Sequence, residues 1–174
     1  MRVGELKKTI REVPDFPKPG INFYDVSTLF RDAEALKTAV GVMVERYRGE
    51  RVDALVGIEA RGFVLASAMA YELGVGLILA RKPGKLPHET EGESYSLEYG
   101  EGRLEIHRDA VDEGQRVIVI DDLLATGGSA AAAGRLLRRL GAQVDGYGFM
   151  VELAFLDGRK NLEPADGVFS LLKY

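Results

Sequence analysis

The sequence predicts an α/β fold, a central, mostly parallel sheet flanked by helices on both faces. Three observations carry this. Short apolar runs rich in branched residues recur at 52–58, 76–80, 116–120, 143–151 and 169–172, as strands buried on both sides do. Residues 32–49, 61–73 and 128–140 instead repeat apolar or small residues at helical spacing. The two kinds of segment alternate, the rhythm of β-α-β units.

Taken in order, residues 1–12 read as a short amphipathic helix with Leu6, Ile10 and Val13 toward one side. PDFPKPG at 14–20 stops it, because three prolines cannot continue a helix. In 32–49, Leu36, Val40, Met43, Val44 and Tyr47 fall on one helical face. VDALVGI then reads as a strand, 61–73 as a small-residue helix and GLILA as a second buried strand. Residues 82–109 are polar, punctuated by glycine and proline, and too long for an ordinary connection, so they read as a flexible catalytic loop or lid. Within them SYSLEY and RLEIHRD form the arms of a hairpin about a GEG turn. The most hydrophobic strand, 116–120, leads into the helix 128–140, and 143–151 and 169–172 complete the sheet. No repeat or linker divides the chain, which reads as one domain over 1–174.

Composition excludes several functions. The chain has 174 residues and no cysteine, which rules out disulfides, thiolate metal sites and a catalytic thiol. A formal net charge of −4 argues against a nucleic-acid or membrane-surface binder. No apolar run reaches the roughly 20 residues of a bilayer span, and the first residues lack a signal-peptide core. The expectation is a soluble cytoplasmic protein. His88 and His107 have no metal-ligand spacing, and Arg135, Arg138 and Arg139 suit the helix dipole.

On a doubly wound sheet, ligands sit beyond the carboxyl ends of the strands. That rule selects Glu59-Ala60-Arg61, Arg81-Lys82 and Asp121-Asp122. The sharpest string is VIVIDDLLATGGS, 117–129: a buried strand, two adjacent carboxylates, then a Thr-Gly-Gly-Ser turn opening a helix. Amides of Ala125, Thr126, Gly127, Gly128 and Ser129, with the helix dipole behind them, suit a phosphate. The hydroxyls of Thr126 and Ser129 add donors. No lysine follows the glycines, so this is no triphosphate P-loop. Two carboxylates just before a phosphate loop suit a sugar phosphate, with the carboxylates accepting from vicinal hydroxyls. A solvated Asp-Asp pair before a plain glycine turn is the blander alternative.

This string resembles the phosphoribosyl-pyrophosphate (PRPP) motif of the type I phosphoribosyltransferases. FPKPGINFYDVSTLF, EARGF, RKPGKLP, SYSLEYG, LEIH and DDLLATGGS together resemble, in order and spacing, the adenine phosphoribosyltransferases. The resemblance implies the type I fold with a flexible lid or hood, and the reaction of adenine with PRPP to AMP and pyrophosphate in purine salvage. It implies Mg2+ held mainly through PRPP, near Asp121 and Asp122. It further implies Asp121 and Asp122 on the ribose hydroxyls and 125–129 on the 5′-phosphate. Pyrophosphate would lie on Arg61, beside a cis peptide at Glu59-Ala60 or Ala60-Arg61, with Arg81, Lys82 and Lys85.

By the same resemblance residues 81–85 reach the neighbouring site of a homodimer, Glu98 is the catalytic acid with Arg61 assisting, and Tyr99 closes the lid. Residues 1–30 contribute to the base site, where Asn22, Phe23 and Tyr24 shape the purine pocket and Leu123 covers its other face. The 22–24 side chains are the least family-specific part of the match. An oxopurine-specific relative is disfavoured because only Lys160 and Lys173 remain late in the chain to contact an exocyclic oxygen. A non-catalytic PRPP-sensing regulator would carry a DNA-binding module, for which the amino-terminal segment leaves no room.

Overall fold

The computed structural model describes residues 1–97, 100–164 and 167–174. Its frame is a five-stranded sheet of β3 (Ala54–Ile58), β4 (Gly76–Ala80), β7 (Arg116–Leu124), β8 (Gln143–Glu152) and β9 (Val168–Lys173), in the order β4-β3-β7-β8-β9. Every neighbouring pair is parallel. From β3 the chain winds outward through α3 (Arg61–Leu73) to β4, then returns to lay β7 on β3's other side. It continues through α4 (Gly128–Arg139) to β8. Because both crossovers are right-handed by rule, opposite directions of travel put α3 and α4 on opposite faces.

Two apolar layers result. Alternate residues of β3 and β7 divide between them: Leu55, Ile118 and Ile120 pack with α3 and with α2 (Ala33–Tyr47), Val56, Val117 and Val119 with α4. Asp32 starts α2 by accepting the Ala35 amide at 2.9 Å. The switch point, where the sheet's winding reverses, lies between β3 and β7. Their carboxyl ends therefore open a crevice beside Glu59, Arg61, Asp121 and Asp122.

Three local expectations are corrected. The amino-terminal helix is a short 3-10 turn, Val3–Thr9, which buries Leu6. Val13 belongs instead to β1 (Arg11–Pro14), paired antiparallel with β2 (Asn22–Asp25) around the proline-rich connection. That hairpin and a one-turn helix, α1 (Ser27–Arg31), lead into α2. Within residues 82–109, β5 (Thr90–Leu97) pairs with β6 (Gly100–His107) as the expected hairpin, but Leu97 stands opposite Gly100, so the expected GEG turn lies in a strand. Finally, β7 runs past Ile120 to Leu124, and Asp121 stands beside Phe149 of β8 rather than beyond the strand. The neighbouring strand continues to Glu152, which gives Asp121, Leu123 and Leu124 ladder partners. No helix among the described residues is long and apolar enough to cross a membrane.

Candidate active site

Asp121 and Asp122 are buried at the end of β7, only 9% and 4% exposed. Asp121 Oδ1 accepts the Asp122 amide at 2.8 Å. Arg61, the first residue of α3, brings its Nε within 2.8 Å of Asp122 Oδ2. The contact is ionic rather than a directed hydrogen bond. Burial drives the Asp121 carboxyl well above the ordinary carboxylate range, and the Asp122 charge pushes the same way. Burial raises Asp122 as well, but Arg61 pulls against it. The first turn of α3 can come this close because Gly62 has no side chain: a Cβ there would sit 2.8 Å from Asp121 Oδ1.

The peptide between Glu59 and Ala60 is cis, which selects one of the two positions the sequence left open. Glu59 Oε2 accepts from the Lys82 amide at 2.9 Å and from Arg81 Nε at 3.2 Å. Burial raises the Glu59 carboxyl, but these two donors outweigh it and leave it below the usual range. Arg81 also donates to the Lys85 carbonyl at 3.1 Å. Within this chain, two of residues 81–85 are held by Glu59. It holds Arg81 and the backbone of Lys82 beside this chain's own crevice, which Lys82 lines, while Lys85 is exposed and outside it.

Three cavities meet here. A cleft of about 370 Å³ is lined by Glu59, Arg61, Lys82, Asp121, Asp122, Leu123 and Ser129, with Tyr95 of β5 closing one side. Burial and the Asp121 charge both raise the Tyr95 hydroxyl. An apolar cavity of about 660 Å³ is walled by Ile21, Asn22, Phe23 and Tyr24, by Ala125 and Thr126, and by Leu153, Phe155 and Leu156. Leu123 thus lines the carboxylate cleft rather than the apolar cavity. The Phe23 ring lies 5.5 Å from the Arg61 guanidinium, which joins the two spaces. A polar cavity of about 560 Å³ lies on the far side of the loop, between Ser94, Ser96, Thr126, Gly128, Arg135 and Asn161.

The loop itself is a glycine-started helix. Gly127, in the left-handed region at φ 82°, precedes α4 with no side-chain cap, so the first amides of the helix lack intrahelical acceptors. They are free for an anion, with the dipole behind them. For a divalent cation the chain offers little by itself: among the described residues no cluster of three or more His, Asp or Glu converges. Two adjacent buried carboxylates, one of them ion-paired with Arg61, fit an ion that takes most of its ligands from substrate phosphates and water. Glu98 and Tyr99 lie outside the described residues. Sequence reasoning marked Glu59 by position without giving it a role, and passed over Gly62, Leu153, Phe155, Leu156 and Asn161. Only EARGF, with its acid and glycine flanking Arg61, carried a signal that could have assigned two of them.

With this geometry in hand, residues 27–166 match the family model described as "Phosphoribosyl transferase domain". A curated adenine phosphoribosyltransferase of Desulfitobacterium hafniense is 53% identical over 174 residues, covering all of both chains. The chain belongs to the adenine phosphoribosyltransferase family. Its fold is the type I phosphoribosyltransferase fold, and the family is one of pentosyl-transferring enzymes. The crystal structure of the Thermoanaerobacter pseudethanolicus adenine phosphoribosyltransferase superposes with a TM-score of 0.95 at 48% identity, covering 99% of this chain and 100% of that one. That of the Saccharomyces cerevisiae enzyme, complexed with D-2,5-dideoxy-2,5-imino-altritol 1,6-bisphosphate and adenine, gives 0.91 at 40% identity over 98% of each chain.

Proposed function

We propose that this protein transfers the 5-phosphoribosyl group of PRPP to N9 of adenine, forming AMP and releasing pyrophosphate, in purine salvage. The observation that carries this is the seam at Ala125 and Thr126. The same two residues belong to the anion-binding loop and to the wall of the apolar cavity, while the paired aspartates stand just before them. A planar base, a ribose and a 5′-phosphate thus have adjoining places of the right character.

The phosphate lies on amides and hydroxyls of 125–129, and the ribose hydroxyls donate to Asp121 and Asp122. The base enters the apolar cavity against Phe23, between the 20–24 segment and Leu153, Phe155 and Leu156. The C1′–O bond breaks with its electron pair leaving on pyrophosphate, and the N9 lone pair forms the new bond to C1′. Arg61 and Lys82, with Arg81 behind them, place positive charge where the leaving group gathers negative charge. Mg2+ bound with PRPP supplies further positive charge to the diphosphate. The base gives up one proton overall, and Glu98 exchanges it at the N7 edge, with Tyr99 covering the site against water.

The whole chain acts as one cytoplasmic domain, with 1–30 completing the base site and 82–109 serving as the lid. It works as a homodimer. Val64 and Tyr71 on α3, with Leu77 and Leu79 on β4, are exposed large apolar side chains that support this, and the exposed Lys85 reaches across to the neighbouring site.

Purified protein with Mg2+ should convert adenine and PRPP to AMP and pyrophosphate in preference to hypoxanthine or guanine. Equal turnover of an oxopurine overturns the base assignment, and PRPP binding without turnover favours a regulator. Glu98→Ala should lower kcat by roughly 10²–10⁴-fold, the scale of a general acid or base; an unchanged kcat removes Glu98 from the mechanism.

A further inference from the structure

We propose that Asn161 is a positioning residue for the phosphate loop, acting by locking the Thr126–Gly127 peptide in one orientation. The inference rests on reading 125–129 as the 5′-phosphate site. Asn161 Nδ2 donates to the Thr126 carbonyl at 2.8 Å. In a trans peptide the carbonyl and the following amide lie in one plane and point opposite ways. Holding the Thr126 oxygen toward Asn161 therefore fixes the Gly127 N–H on the other side of the loop. Without that hold, two consecutive glycines leave the peptide free to rotate, because glycine crosses between positive and negative φ at little cost.

The donor is itself firmly seated. Asn161 ends the 3-10 turn Gly158–Asn161, whose first residue lies backbone to backbone on the loop. A Cβ on Gly127 would sit 2.6 Å from the Gly158 carbonyl oxygen. The next residue, Arg159, forks onto Glu152 through Nε at 2.6 Å and Nη2 at 2.8 Å, and donates Nη1 to the Val168 carbonyl at 2.8 Å. Glu152 is only 5% exposed, and its hydrogen bonds with Arg159 hold its carboxyl below the usual range despite burial. The turn is thus clamped to β8 and β9 and presents Asn161 to the loop as a fixed donor. The segment leading to it contributes Leu153, Phe155 and Leu156 to the apolar cavity, so one stretch of chain backs both halves of the site.

The test uses the full-length protein and two variants. Asn161→Ala removes the donor, while Asn161→Asp keeps the shape and replaces the donor with an acceptor facing the Thr126 oxygen. Ribose 5-phosphate, titrated calorimetrically, reads the loop with no turnover. The expected result is affinity about fivefold to twentyfold weaker in Asn161→Ala, and weaker again in Asn161→Asp. In the adenine assay KM for PRPP should rise in the same order while kcat stays within about twofold, and Tm should change little because Asn161 is exposed. Wild-type affinity in both variants overturns the proposal. So does a parallel fall in kcat and Tm with no change in affinity, which would mark a structural role alone. If the wild-type protein binds ribose 5-phosphate but fails to turn over adenine, the functional reading fails and the binding series still decides the role of Asn161.

Discussion

The carboxylate cleft and the apolar cavity adjoin where Phe23 lies against Arg61, yet they are built by opposite means. The cleft is made of groups that are costly to bury. Asp121 and Asp122 crowd each other at the end of a central strand, balanced by Arg61 and by the close approach of Gly62. The cavity is made mostly of apolar groups that cost little to bury, from buried Leu153 to Phe155, left 69% exposed. Charge at one end fixes orientation, and apolar surface at the other accepts a base without demanding much of its geometry. The structure therefore stores strain on the side where bonds change and leaves the other side relaxed.

The harshest way to break this contrast is Arg61→Ala. It removes a cation from the leaving-group side and strands Asp122, and kcat for AMP formation should fall roughly 10²–10³-fold. A loss under fivefold would mean that Arg61 only starts a helix. A sharper probe is Asp121→Asn, which keeps the oxygen that accepts the Asp122 amide and deletes the buried charge. Because burial raises this carboxyl above its unfolded value, the native chain holds the extra proton between the two pKa values. Wild-type stability then falls as pH rises through that window. The variant should lose turnover yet gain Tm, by about 3 °C at pH 8, the shift that ~1 kcal/mol makes in a chain of this size, and by less at pH 5. A variant destabilised at pH 8 would show that the aspartate pair is no burden on the fold. The mildest change is Phe155→Ala, with KM for adenine rising about threefold to tenfold, as for losing part of one aromatic contact. Its KM for PRPP and Tm should hold; a matching rise for PRPP would show that the two cavities are not separable.

What could be read from sequence follows the same division. The string 117–129 carries its strand, carboxylates and loop in consecutive residues, so its chemistry was visible before any fold was known. The helix at 61–73 and the strand at 76–80 also stand where their periodicity put them. The back of the site was not legible. Gly158 and Asn161 look like any polar turn, and their importance comes from a backbone contact with residues far away in the chain. Arg81 and Lys82 read as pyrophosphate ligands, but nothing local announces that Glu59 would hold the Arg81 side chain and the Lys82 amide. Val13 was assigned to a helix because apolar spacing cannot report a partner strand across a proline-rich connection.

The contact of Gly127 with Gly158 has a consequence for how such a protein can change over generations. Gly127 is closed to any side chain by the Gly158 main chain, and Gly158 by the main chain of Ala125 and Thr126, so no sequence of single exchanges passes through a tolerable intermediate at that point. Diversification there must come through insertion or deletion in 153–161, which moves one backbone away from the other. A lineage that altered its base preference by that route would have to rebuild the cradle of its phosphate loop in the same event.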